Sequence, residues 1–173
     1  DLTGVPWLSP SQLSLFFLAP AFLAAGIFLA PVIAGREPRG QRLLSFVLLG
    51  ALVVVVVGSL AGEAASYKGW LRTDLKPLIG AQGLEYLDLG RLWQVLLVGG
   101  LVLWCVLLYR GLRTRLAEES RGNLPYLFFY SALSIPLFYA VGLVNQSNNN
   151  FALAYFLRLW VVRCGVDEFW EFF

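Results

Sequence analysis

Four long stretches carry no charge at all: residues 11–35, 43–61, 92–109 and 122–157. A helix that crosses a bilayer needs roughly 17–25 mostly apolar residues, so the first three match one crossing each. The fourth is too long for a single helix. The run Asn145-Gln146-Ser147-Asn148-Asn149-Asn150 divides it, because such amide side chains favour turns and are costly in hydrocarbon. The expected architecture is therefore all-α: one polytopic transmembrane helix bundle over residues 1–173, with about five spans near 11–35, 43–62, 91–112, 124–144 and 151–173. Pro20, Pro31 and Pro136 fall inside these spans, where neighbouring helices can satisfy the carbonyls that a proline frees. Gly58 and the Gly99-Gly100 pair offer places for close helix packing, and simple tolerance of glycine in membrane helices explains them equally well.

Composition supports a lipid solvent. The chain is 58% hydrophobic and 14% charged, against about a quarter charged in a soluble domain. A formal net charge of +2 is too small and dispersed for nucleic acid. The N-terminal residues 1–10 lack the basic start of a signal peptide. Cys105 and Cys164 lie in apolar stretches without paired spacing and read as small buried hydrophobes. There is no methionine and no histidine. The first absence points to a segment of a longer chain or complex. The second removes the commonest ligand for haem, copper and non-haem iron.

Basic residues set the expected orientation. One side (side A) collects Arg36, Arg39, Arg42, Arg110, Arg113, Arg115 and Arg121, and the other (side B) collects Lys68, Arg72, Lys76 and Arg91. Seven against four in short loops makes side A cytoplasmic. The N-terminus, a long loop from Gly62 to Gly90 and the Asn-rich turn then face outward.

Two segments stand out as carriers of chemistry. In the outer loop, Glu85, Asp88 and Arg91 recur every three residues at a helix start, where carboxylates suit the helix dipole. They read as an interfacial cap or as an ionic site for a cation or a cofactor's charged groups. In the fifth span, Arg163, Asp167 and Glu171 recur every four residues, so they share one face. Ionisable groups inside a span are expensive and by default suggest function, although Arg163 and Asp167 can also simply neutralise each other. Weaker candidates are the ordinary helix start Ser9-Pro10-Ser11-Gln12, the aromatic run Phe128-Phe129-Tyr130, and Ser134 with Tyr139 along a polar path. No phosphate-cradling glycine loop, Ser/His/Asp set or metal-spaced cysteine cluster is present.

The run Gly83-Leu84-Glu85-Tyr86-Leu87-Asp88-Leu89-Gly90-Arg91-Leu92-Trp93-Gln94 closely resembles a signature of bacterial nitric oxide reductases, especially the quinol-dependent type. The segment from Ala25 to Ile33 is similar to the same family, as is Trp160-Val161-Val162 followed by Phe169-Trp170-Glu171. The family is a branch of the haem-copper oxidase superfamily, and the chain would match the second through sixth spans of its core.

This resemblance implies a multi-pass protein of the bacterial cytoplasmic (inner) membrane that reduces nitric oxide to nitrous oxide. Its partners would be the lipid bilayer, the remaining spans or subunits of the complex, and quinol or cytochrome c as electron donor. Its cofactors would be haem b, haem b3, non-haem iron and a calcium ion. In that pattern Glu85 corresponds to the carboxylate near the haem propionates or calcium, and Glu171 to a glutamate near the catalytic pocket. Asp167 takes the place of an iron-ligating glutamate. Pro10 stands at the position of the family's haem histidine, and Arg163 at that of its iron histidine. Proline cannot ligate haem, and a guanidinium is not an iron ligand.

Two accounts of these departures stay open at this point. One is a diverged paralogue that kept the scaffold and lost the metals. The other is a chain whose letters at the two positions stand in for ligand histidines. The functional expectations are accordingly part of a nitric-oxide-reductase-like enzyme, a metal-free structural or regulatory membrane subunit derived from that family, or a nitric oxide dismutase-like enzyme.

Overall fold

The computed structural model describes residues 32, 35, 39–80, 82, 89–117, 123–144 and 149–162. All regular structure among them is helical: α1 (Gln41–Tyr67), α2 (Lys76–Ile79), α3 (Arg91–Leu116), α4 (Leu124–Val141) running into a 3₁₀ turn (Gly142–Val144), and α5 (Phe151–Val162). Three segments are long and apolar enough to cross a membrane: Gln41–Tyr67, Arg91–Arg113 and Leu124–Val144. At 1.5 Å per residue, the 27 residues of α1 extend about 40 Å, more than the hydrocarbon thickness of about 30 Å. Those segments coincide with the expected spans at 43–62, 91–112 and 124–144. Of the expected span at 151–173 the described part is helical through Val162, and the one at 11–35 lies almost wholly outside the described residues.

α3 is the central helix, packed against α1 on one side and α4 on the other, while α5 leans on α4. The main core joins Leu48, Leu52 and Val56 of α1 to Trp104, Cys105, Leu107, Leu108 and Leu112 of α3 and Ala132 of α4. On α1 the buried residues Leu48, Leu52, Val55, Val56, Ser59, Gly62 and Glu63 recur at intervals of three and four, which gathers them into one stripe. The opposite face shows Phe46 at 70% and Val57 at 59% exposure. Apolar side chains on both faces, one packed and one open, are what a helix bordering lipid requires.

α1 and α3 run antiparallel. Near side A, Gln41 Nε2 donates to the Leu107 carbonyl at 3.1 Å, and the Arg110 guanidinium donates to the Arg39 carbonyl at 3.0 Å. Near side B, Trp93 lies on Gly58.

The loop expected from Gly62 to Gly90 is shorter than the sequence reading gave. Helix α1 continues five residues past Gly62, because Glu63, Ala64 and Ala65 favour helix and Gly62 and Glu63 extend the buried stripe. It ends at Gly69, whose φ of 72° suits a residue without Cβ. There Gly69 N–H donates to the Ser66 carbonyl at 3.2 Å and Trp70 N–H to the Ala65 carbonyl at 3.0 Å, the paired bonds of a Schellman stop. The remaining loop also contains α2, which was not anticipated.

The Asn-rich break before α5 is visible at its end. Asn150 Oδ1 accepts from Ala152 N–H at 3.2 Å, and Asn149 Nδ2 donates to the Val144 carbonyl at 3.2 Å. Asn150 thus caps the new helix with its side chain.

Candidate functional site

Three of the four buried polar side chains among the described residues lie where the end of α1, α2 and the start of α3 meet, at side B. The spacing Gly58-Ser59-Leu60-Ala61-Gly62 puts two side-chain-free positions one turn apart on α1. A Cβ at Gly58 would fall inside the Trp93 ring, and one at Gly62 would strike the Ile79 carbonyl oxygen. Trp93 Nε1 donates to that same Ile79 oxygen at 2.8 Å. The indole therefore lies against α1 with its one polar atom satisfied by the end of α2. A Cβ at Gly90 would sit 2.6 Å from the Gly80 oxygen and 2.7 Å from the Leu78 oxygen. The chain entering α3 thus presses directly on the backbone leaving α2.

Three polar side chains are buried at this end: Ser59 at 3%, Glu63 at 8% and Gln94 at 1% exposure. Ser59 Oγ donates back to the Val56 carbonyl at 3.0 Å, and Arg91 Nη1 donates to Gln94 Oε1 at 3.3 Å. Burying a carboxylate and an amide beside membrane helices is costly unless each has work to do there. Sequence reasoning does not single out Glu63, because it follows the uncharged run at 43–61 and looks like the start of a loop. The signal that could have found it is its spacing of seven from Val56 and four from Ser59, on the same stripe of α1.

Gln82 Nε2 donates to the Leu89 carbonyl at 2.9 Å. This bond joins the residues that flank positions 83–88. Glu85 and Asp88 are among those positions and lie outside the described residues, as do Pro10, Arg163, Asp167 and Glu171. The structure thus places the flanks of Glu85 and the last four residues of its motif, Arg91 to Gln94, beside Glu63's helix. It does not describe the second candidate face in the fifth span.

Of the weaker candidates, Ser134 Oγ donates to the Ser131 carbonyl at 2.7 Å, a local bond along its own helix. Tyr139 packs against the small core of Val55, Leu89 and Leu97 together with Trp93 and Leu101. Phe129 and Tyr130 are tilted neighbours with centroids 6.3 Å apart, and Phe129 meets Tyr109 at 5.6 Å, which is packing between α3 and α4.

Of the three positions where the resemblance puts metal ligands, Asp167 offers a carboxylate, and Pro10 and Arg163 do not fit. Pro10 and Arg163 offer no lone pair to a metal. Among the described residues, no three or more of His, Cys, Asp and Glu come together as a metal-binding group. No protein-family model matches the chain, and no curated protein matches it.

Proposed function

We propose that the chain is a membrane-embedded segment of a nitric-oxide-reductase-like enzyme of a bacterial inner membrane, contributing five spans of a haem-copper oxidase-like core. The observation that carries the reading is the twelve-residue run from Gly83 to Gln94, whose likeness is long and specific. The geometry around the end of that run supports it. Arg91 to Gln94 open a membrane helix, Trp93 and Gln94 are packed into the bundle, and Gln82 is bonded to Leu89 on the two flanks of Glu85. In this reading Glu85 faces a charged cofactor group or calcium at side B, and Asp167 with Glu171 belongs to the catalytic pocket. The other spans of the complex supply haem ligands and the docking place for quinol or cytochrome c.

A second reading is favoured by one specific observation, the absence of any histidine together with Pro10 and Arg163 at the two ligand positions. It is a metal-free structural or regulatory subunit built on the same scaffold.

The test is a reduced-minus-oxidised spectrum and a product assay on the complete protein in membranes. The enzyme reading expects b-type haem bands and nitrous oxide formed from nitric oxide. Absent haem bands with no gas product establish the metal-free subunit instead. Dinitrogen with oxygen as products would assign a dismutase.

A further inference from the structure

The lipid-facing stripe of α1 ends, at side B, in a pair of residues that the redox reading does not use. At 3.6 residues per turn, Leu43, Phe46, Val53, Val57 and Lys68 fall within about 40° of one line along the helix. The four apolar members are each more than half exposed, and Lys68, which ends the helix, is exposed as well. Its ammonium therefore stands where the apolar wall stops. The chain then turns at Gly69, in its left-handed conformation, and brings Trp70 beside that ammonium. Lys68 Nζ lies 4.9 Å from the centroid of the Trp70 ring, within the range of a cation–π contact. The indole is otherwise open, at 76% exposure, and Tyr67 beside it is exposed too.

Lengths along α1 set the level of this pair in a bilayer. At 1.5 Å per residue, Arg42 and Lys68 are about 39 Å apart along the axis. That exceeds the hydrocarbon thickness of about 30 Å and nearly matches the roughly 40–45 Å that includes both headgroup layers. The one charged residue between them, Glu63, is buried and belongs to the packed stripe. The lipid-facing line therefore meets no charge until Lys68. With the apolar length of α1 in hydrocarbon, Lys68 and Trp70 fall in the headgroup layer of side B.

We propose that Lys68 and Trp70 form an anchor that binds the phospholipid interface of the side-B leaflet and fixes the depth of α1. An indole has an apolar body and one N–H donor, which suits the boundary between acyl chains and lipid carbonyls. A lysine at the end of a membrane helix extends outward and sets its ammonium among headgroup oxygens. The cation over its face keeps the indole at the edge of the lipid-facing wall rather than in the aqueous loop. The occupant is lipid because the pair continues the helix face that borders lipid along Leu43, Phe46, Val53 and Val57. Glu63, about 7.5 Å deeper along the axis, is then held just inside the headgroup layer. The inference rests on the membrane reading and is independent of the redox one.

The experiment reconstitutes the complete protein in phosphatidylcholine bilayers and subtracts the tryptophan fluorescence of W70F from that of wild type. The difference is the emission of Trp70. Phosphatidylcholine brominated near the headgroup should quench it about two-fold more than phosphatidylcholine brominated near the chain ends. Aqueous iodide should quench it weakly. In the pair K68Q and K68Q/W70F, which lacks the cation, headgroup-level quenching should fall and iodide quenching should rise. Strong iodide quenching of wild type without quenching by brominated lipid would place Trp70 in an aqueous loop and overturn the proposal. Quenching by neither would mean that protein covers the ring, which sinks the lipid assignment. Stronger quenching from the chain ends would remove the pair from the headgroup layer. Quenching unchanged by K68Q would overturn the pairing. If W70F does not insert, a nitroxide on Y67C, in a background lacking Cys105 and Cys164, reads the adjacent level with Trp70 intact. Its collisions with oxygen should then outweigh those with a water-soluble nickel chelate, and the opposite balance would overturn the anchor.

Discussion

The Cys105 thiol of α3 donates to the carbonyl oxygen of Ala132 in α4, with sulfur 3.5 Å from oxygen. Ala132 is four residues before Pro136, and proline has no N–H with which to complete the helical bond to that carbonyl. A buried cysteine on the neighbouring helix thus supplies the donor that the proline removes. This is the compensation that lets a proline persist inside a membrane helix. Cys105→Ala should destabilise the bundle by about 1 kcal/mol, the scale of an interhelical hydrogen bond in a membrane. Cys105→Ser should retain most of the stability. The decisive measurement is a double-mutant cycle by unfolding in mixed micelles. In a Pro136→Ala background, where the helical N–H returns, the cost of Cys105→Ala should shrink. An undiminished cost would mean that the thiol acts only by filling volume.

Trp93 and Gly58 give a second prediction. With the indole seated where a side chain would stand on α1, Gly58→Val should force α1 and α3 apart at side B and cost about 1–3 kcal/mol. Trp93→Phe removes both the bond to the Ile79 carbonyl and the outer ring atoms that lie on Gly58, so it should cost about 1–3 kcal/mol. Thermal unfolding in detergent ranks the two. Gly99→Val serves as the contrast, because no atom lies within 4 Å of a Cβ there, and it should be nearly neutral.

These contacts also show where sequence reasoning stops. The uncharged runs locate α1, α3 and α4, since length and absence of charge are properties of one segment at a time. The Asn-rich run is likewise legible as a break between spans, but which of its residues caps the next helix is not. Gly58 and Gly99-Gly100 are indistinguishable by sequence. Only the facing helix decides that a Cβ at Gly58 would meet Trp93, that one at Gly100 would come 4.0 Å from Leu48 Cδ1, and that one at Gly99 would meet nothing within 4 Å. The thiol of Cys105 over the gap left by Pro136, and the Gln82 bond to Leu89, depend on register between distant stretches, which no local pattern encodes. Glu63 is not legible because a charge after an apolar run looks like the end of a helix, whereas here packing of Gly62 and Ser66 against Ile79 and Gly80 accompanies the helix on to Tyr67.

The antiparallel arrangement predicts which ends share a membrane face. Single cysteines at Lys68 and Arg39, both exposed, lie at opposite ends of α1. In a background lacking Cys105 and Cys164, an impermeant maleimide added outside intact cells should label Lys68→Cys and spare Arg39→Cys. The reverse pattern would invert the topology derived from the arginine bias. Labelling of both, or of neither, would deny that α1 crosses the bilayer.

The clasp between Gln82 and Leu89 gives the prediction that bears most directly on the proposed function. Gln82→Ala removes the 2.9 Å bond that joins the two flanks of the segment carrying Glu85. A single neutral hydrogen bond contributes about 1 kcal/mol, so the bundle itself should stay folded, and its helical signal should match wild type. What should change is the positioning of Glu85. If that carboxylate faces a charged cofactor group, Gln82→Ala and Glu85→Gln should both lower the haem retained by the complete protein. Gln82→Ala should do so through a carboxylate held less firmly, and Glu85→Gln through a lost charge. Combining them should then add little beyond Glu85→Gln alone, because both act on one interaction. Haem retention untouched by either substitution would remove Glu85 from any cofactor site and leave the clasp as a purely structural fastening of the loop between α2 and α3.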